Sequence, residues 1–332
     1  MDPLELTRAL VDIDSTTGRE GAAGRWLAGF LRDRGFDVVE QPVDHDRFNI
    51  LATVGSSAVM LSTHFDCVPP FFPSRIEGDR LYGRGSCDAK GILAAQVAAV
   101  ETLRAKGEKR VGLLFVVGEE RGSDGARVAN GHANGSQFLV DGEPTDSRLG
   151  LATRGILRVR LRASGRASHS SYPELGDSAI EKLIDALVVL RRLELPSDAA
   201  LGRTHYTVGL IEGGLAPNVV PPSAAAEVMF RTVGDIAEVR RAIAPLERYV
   251  AIDHVLDVPP VRLATVPGFE TAIFPFTTDI PFLNAWGEPL LFGPGSVHAA
   301  HTADEFVSIA ELRAAVQHYS AIAAALLQRC QA

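Results

Sequence analysis

The stretch Val111-Gly112-Leu113-Leu114-Phe115-Val116-Val117 carries no polar side chain and runs straight into Gly118-Glu119-Glu120-Arg121-Gly122. A strand sends alternate side chains to opposite faces, so an unbroken apolar run of this kind needs cover on both. It reads as an interior strand of a sheet flanked by helices, which limits the chain to α/β architectures. Shorter apolar runs of the same character lie at Val38-Val39, Ile50-Leu51-Ala52, Ala58-Val59-Met60-Leu61 and Phe138-Leu139-Val140. Helical patterns alternate with them. Leu6, Leu10 and Ile13 share one face of an opening helix, Trp26, Leu27, Phe30 and Leu31 line a second, and Gly91 to Lys106 forms an Ala-rich third. Thr17 followed by Glu20 reads as a capping box for the second helix, and Gly35 as its end.

Near residue 152 the pattern changes. Ile156-Leu157-Arg158-Val159-Arg160-Leu161-Arg162 alternates apolar and basic residues, as a strand with one solvated face does. A helix at about 178–193, strands near 205–211 and 225–230, and a helix at 236–249 follow, an order suited to a small antiparallel sheet with helices on one face. After Pro259-Pro260 the α/β rhythm resumes, with strands near 261–265 and 290–292 and a final helix at about 308–328. The expected organisation is one α/β domain in two segments, 1–152 and 258–332, with an α+β domain of residues 153–257 inserted between them.

Charge and composition exclude several function classes. With 33 basic and 41 acidic residues the net charge is -8, which offers no basic footprint for nucleic acid. Cys67, Cys87 and Cys330 are too few and too scattered for a disulfide framework and fit a reducing, cytoplasmic setting. The first residues, Met1-Asp2-Pro3-Leu4-Glu5-Leu6, are acidic and amphipathic where a signal peptide is basic and then apolar. No apolar run reaches the ~20 residues of a bilayer span, so no membrane partner is expected.

Acidic and histidine residues gather at the ends of the expected strands, where open α/β sheets bind ligands. Thr63-His64-Phe65-Asp66 follows the run at 58–61; the histidine offers a neutral nitrogen, and a carboxylate two residues on can fix its tautomer. Alone, such a pair is a weak signal and reads more readily as a surface turn. Gly83-Arg84-Gly85-Ser86-Cys87-Asp88-Ala89-Lys90-Gly91 opens a helix but fails as a phosphate loop, because Lys90 precedes Gly91 without a following Ser or Thr. By itself Asp88 reads as an N-cap. Glu119-Glu120 places two like charges side by side, an arrangement that calls for a nearby cation and allows one carboxylate to bind metal while the other acts as base. Val140-Asp141-Gly142-Glu143-Pro144-Thr145, and Gly293-Pro294-Gly295 followed by His298 and His301, complete the series.

Together these segments resemble the two-zinc metallohydrolases that include acetylornithine deacetylase, succinyl-diaminopimelate desuccinylase, aminoacylase and carboxypeptidase G. The resemblance covers nearly the whole chain, with five motifs in order. It implies a zinc-peptidase-like catalytic domain, a mixed sheet with helices on both faces, carrying an inserted α+β dimerisation domain at 153–257. It implies two zinc ions per subunit, with cobalt or manganese as substitutes. His64 and Glu143 would hold one ion, Glu120 and His301 the other, and Asp88 would bridge them, with Asp66 orienting His64 and Glu119 acting as general base. Cys67 and Cys87 adjoin these positions and read as packed thiols. In Ala167-Ser168-His169-Ser170-Ser171-Tyr172-Pro173, His169 would reach the partner subunit of a homodimer and polarise the scissile carbonyl.

Asn218 in the segment Gly213–Pro221 and Arg231 after Phe230 match the family's substrate-carboxylate segments; a surface ion pair is the plain alternative for Arg231. Gly295 would let backbone approach the substrate closely. Gly118 stands where many relatives carry an acid. The implied activity is removal of the acyl group from an N-acyl-amino acid by a metal-activated water. A carboxypeptidase or dipeptidase acting on short peptides is the alternative, and a relative without catalysis the third reading. Glu143 favours the first, because relatives specialised for di- and tripeptides usually have aspartate there.

Overall fold

The computed structural model describes residues 1–330. In chain order the elements used here are α1 (Pro3–Val11), α2 (Gly21–Asp33), β1 (Asp37–Asp44), β2 (Arg47–Thr53), β3 (Val59–His64), α3 (Lys90–Ala105), β4 (Val111–Val116), α4 (Asp124–Asn130) and β5 (Phe138–Asp141). There follow β6 (Gly155–Ser164), α5 (Ala179–Leu190), β7 (His205–Gly213), β8 (Ser223–Thr232), α6 (Ile236–Ile243), β9 (Ala251–Val258), β10 (Glu288–Leu291) and α7 (Ile309–Arg329). Two compact units form. The first comprises Met1–Leu151, Leu263–Ala272 and Thr278–Ala332, the second Ala152–Arg262 and Ile273–Thr277. The second unit runs on to Arg262, where Val261 and Arg262 pair with Thr153 and Ala152.

The first unit is built on a mixed sheet in the order β1-β2-β4-β3-β5-β10. Strands β4, β3, β5 and β10 run parallel, and β1-β2 is an antiparallel edge. Alternation decides which residues enter which core. Val59, Leu61, Val111, Leu113, Phe115, Phe138 and Val140 point to a large core with α1, α2, α3 and α7. Met60, Leu114, Val116 and Leu139 point the other way, against Ala126 and Ala129 of α4 and Trp286. This two-sided burial is what the apolar run at 111–117 demands, and the fold class is the α/β one expected. All four parallel strands end on the same edge, and the loops leaving them carry the acidic and histidine residues.

The second unit is an antiparallel sheet in the order β7-β8-β6-β9. Along β6, Leu157, Val159, Leu161 and Ala163 are buried against Leu183, Ala186 and Leu190 of α5 and Val239 and Ile243 of α6. Arg158, Arg160 and Arg162 face the other side and pair with Glu227, Glu212 and Asp253.

Three expectations need correction. The helix at 236–249 stops at Ile243, where Ala244–Arg248 tightens into a 3-10 turn containing Pro245. The strand expected at 261–265 shrinks to Val261–Arg262. The capping box at Thr17 and Glu20 does not form: the Thr17 hydroxyl donates to Asp66 Oδ2 (2.8 Å), and Glu20, fully buried, accepts both arms of Arg47 (3.0 and 2.9 Å). Among the described residues no helix is long and apolar enough to cross a membrane.

Candidate metal centre

Two groups of three side chains converge at the carboxyl edge of the parallel strands. In each, ligand atoms lie within 4.8 Å of one another: His64, Asp88 and Glu143 form one, Asp88, Glu120 and His301 the other. Asp88 belongs to both, and Glu119 to neither.

His64 is the last residue of β3. Its Nδ1 lies 3.1 Å from the Asp66 carbonyl oxygen. A carbonyl can only accept, so Nδ1 carries a proton and Nε2 is the nitrogen that faces the site. There Nε2 lies 3.0 Å from Asp88 Oδ1 and 3.9 Å from Glu143 Oε1. The opposite group is as tight: His301 Nε2 is 2.9 Å from Glu120 Oε1 and 3.2 Å from Asp88 Oδ2.

Asp66 does more than support His64. Its carboxylate sits 3.5 Å from Nδ1 but accepts the backbone N–H groups of Glu119 (3.1 Å) and Glu120 (3.3 Å). It thereby holds the 3-10 turn Glu119–Arg121 that presents both glutamates. Gly118 enters this turn at φ 76°, and a Cβ there would lie 1.8 Å from Asp124 Oδ1. That explains the absent side chain at 118: Asp124, itself gripped by Arg47 (2.6 Å), occupies the space. Asp88 is not a helix cap, for α3 starts from Ala89 without a side-chain cap.

The charge balance favours a cation. Burial raises the carboxyls of Glu119, Glu120 and Glu143 above the ordinary carboxylate range, and neighbouring carboxylates raise them further. Burial works against Asp88 too, but hydrogen bonds from His301 and His64 outweigh it and hold its carboxyl well below that range. His301 is pushed up to about 10 by its hydrogen bonds to Asp88 and Glu120. Burial alone would lower His64, yet contacts with Asp66 and Asp88 push it well above its ordinary value. Both histidines thus serve as the cations of crowded carboxylates. A divalent ion at a triad would relieve that crowding, and nitrogen and carboxylate donors without thiolate suit zinc, cobalt or manganese. Cys67 and Cys87 are buried, and neither enters a triad among the described residues.

The remaining expected residues fall elsewhere. Gly295, in the first unit, has φ 82° and would bring a Cβ within 2.6 Å of Cys87 Sγ, so its glycine character answers to packing. In the second unit, His169 is exposed, pairs its backbone with Val219 in an isolated bridge, and accepts the Ser171 N–H at Nδ1 (3.1 Å). Exposed Asn218 lies on the adjoining segment, its carbonyl accepting the Ser170 N–H (3.0 Å). Arg231 is half-buried on β8; its guanidinium makes no ion pair or hydrogen bond among the described residues, and burial lowers its pKa.

Sequence reasoning missed Asp279, which is buried and pushed up to about 8, first by burial and then by the charge of Asp141. It also missed the roles of Arg84, Glu305, Glu20 and Arg47. Asp279 follows Phe276-Thr277-Thr278, a stretch with no metal-ligand spacing that would have flagged it.

Comparisons with known proteins give the family and the fold. Residues 60–325 match the model of peptidase family M20/M25/M40. A probable carboxypeptidase of Aspergillus terreus is 40% identical, covering 95% of this chain and 84% of its own. The fold is that of a tripeptidase from Staphylococcus aureus (TM-score 0.84, 20% identity, 98% of each chain). It is also that of a dinuclear metal-binding M20 peptidase from Bacillus subtilis (TM-score 0.75, 15% identity, 98% of this chain and 97% of that one). The match over most of the chain, together with the fungal relative, makes this chain a member of peptidase family M20/M25/M40, a family of metallopeptidase-type hydrolases.

Proposed function

We propose that this chain is a two-metal amidohydrolase that removes the acyl group from N-acyl-α-amino acids bearing a free carboxylate. The observation that carries this reading is the pair of triads sharing Asp88, with Glu119 beside them and in neither. In it, His64, Asp88 and Glu143 hold one zinc ion and Asp88, Glu120 and His301 the other. When bound, the ions supply Lewis-acid activation of a water and of the amide carbonyl. Glu119 takes the water proton as the oxygen bonds to the carbonyl carbon, then returns it to the amine nitrogen as the C–N bond breaks. Asp66 keeps Glu119 and Glu120 in register. Arg231 grips the substrate carboxylate through two parallel hydrogen bonds that lysine cannot reproduce, Asn218 adds a neutral donor, and the backbone at Gly295 approaches the amino-acid portion.

The unpaired, half-buried guanidinium of Arg231 supports the carboxylate requirement, which a C-terminal peptide also satisfies. The name of the Aspergillus terreus relative, a probable carboxypeptidase, favours that second reading. Metal-reconstituted protein should be assayed on N-acetyl-amino acids, their carboxamides and dipeptides, alongside Arg231→Ala. Wild type should strongly prefer the N-acetyl acid over its carboxamide, and the variant should largely lose that preference. Equal turnover of acid and carboxamide by wild type would remove the clamp, and faster turnover of dipeptides would favour the peptidase reading.

We further propose a homodimer through the inserted domain, with His169 stabilising the carbonyl oxygen in the partner's site. Edge strand β7 supports this, because Leu210 and Ile211 are each 64% exposed on it and paired edges protect one another. Mixing inactive His169→Ala with inactive Glu119→Gln should restore activity once subunits exchange; no recovery after verified exchange would refute action in trans. The three cysteines are free thiols, which fits the proposed reducing, cytoplasmic setting.

A further inference from the structure

Loop 83–88 winds around a single carboxylate. Glu305 is fully buried, and its Oε1 accepts the backbone N–H groups of Gly85 (2.9 Å), Cys87 (3.1 Å) and Asp88 (3.1 Å). Its Oε2 accepts Arg84 Nη1 (2.6 Å), and its backbone carbonyl accepts the Gly83 N–H (3.1 Å). Arg84 is 2% exposed and reaches both ways: Nη2 donates to the Thr302 carbonyl (3.1 Å) and Nε to the Pro70 carbonyl (3.2 Å). One buried ion pair therefore ties the loop bearing Asp88 to the segment that begins at His301.

The two residues so tied differ in what else holds them. Asp88 is buried, whereas the His301 side chain is 49% exposed and its backbone sits at φ 62°. Core packing cannot set the His301 ring, so its place depends on the backbone of 301–305. Three N–H groups and a guanidinium converging on one carboxylate make a rigid, charge-assisted joint; losing the carboxylate leaves buried donors unmet, and losing Arg84 leaves a buried acceptor unmet.

We propose that Glu305, through Arg84, is a positioning residue that sets His301 against Asp88 and so fixes the affinity of the Asp88/Glu120/His301 site. This rests on the reading that those three side chains bind an ion. Groups that orient ligands without touching the metal are worth about 10–100-fold in its affinity.

The test is calorimetric titration of metal-free protein with Zn²⁺, for wild type, Glu305→Gln, Arg84→Lys and His301→Ala, with the visible spectrum of the Co²⁺ form as a second readout. Wild type should bind two ions. Glu305→Gln should bind one ion within about threefold of wild-type affinity and the other about 10–100-fold more weakly, with a changed second-ion Co²⁺ band. Arg84→Lys, which keeps the charge but loses the forked contacts, should move the same ion by less, and it decides the matter if Glu305→Gln does not fold. His301→Ala should lose the same ion outright. If His301→Ala loses one ion while both clamp variants keep wild-type isotherms, the positioning role is wrong and the ligand reading survives. Equal weakening of both ions would mark a general structural role and overturn the proposal. Two unchanged ions in His301→Ala would sink the ligand reading itself, and this inference with it.

Discussion

The two triads share a carboxylate yet are held by different physics. His64 and Glu143 are 1% and 6% exposed; His64 ends one buried parallel strand, and Glu143 lies two residues past the end of another. Gly142, beside Glu143, has no room for a side chain, since a Cβ would lie 2.4 Å from Ile92 Cγ2. The close-packed core of the sheet thus places this triad. His301 instead stands half in solvent on a loop, and among the described residues its ring has polar contacts only with the carboxylates of Asp88 and Glu120. Hydrogen bonds and one buried ion pair do there what packing does at the other site. Chemically equivalent ligands can therefore differ in how readily their geometry is lost.

Removing the shared residue should have the largest effect and erase the difference. Asp88→Asn should weaken both ions by more than the ~10–100-fold typical of merely supporting groups, with activity falling alongside. His64→Ala and His301→Ala should each remove one ion, and His301→Ala should leave the more tightly held one. Metal analysis after dialysis against a graded chelator checks this. Equal retention in the two histidine variants would mean the triads are energetically alike.

A smaller effect concerns the buried side of the His64 triad. Asp279 titrates at about 8 and Asp141 at about 7, both raised mainly by burial, against an ordinary value of 3.8. For a carboxyl raised on folding, stability is fully present below 3.8 and is lost as pH rises towards the folded value, because the unfolded chain releases the proton first. Asp279→Asn should therefore raise the melting temperature of metal-free protein more at pH 8 than at pH 5, by an amount reflecting ~1–3 kcal/mol for a strained buried polar group. A gap that stays constant between the two pH values would show that Asp279 does not titrate in this range.

Much of the first triad was legible because strands buried on both faces leave continuous apolar runs, and ligands sit at their ends. Ala58–Leu61 leading to His64 and Phe138–Val140 leading to Glu143 are read directly from this pattern, whereas their metal-binding roles rest on the family resemblance. What supports the second triad was hidden. Glu305 meets Arg84 across 221 positions of sequence, and neither residue lies in a periodic segment. Glu20 mimicked a cap because its spacing from Thr17 is right, yet Arg47 offered a better partner than a helix N-terminus. Strand β9 was missed because Asp253, His254 and Asp257 break its apolar signal and much of it remains solvated.

The central claim is that Glu119 moves the proton while the triads hold the metal, and Glu119→Gln tests it most directly. Metal content and turnover should be measured on the same preparation. Close to two ions per chain should remain, with turnover lower by about 10²–10⁴-fold. Loss of an ion, or turnover near the wild-type rate with both ions present, would contradict it.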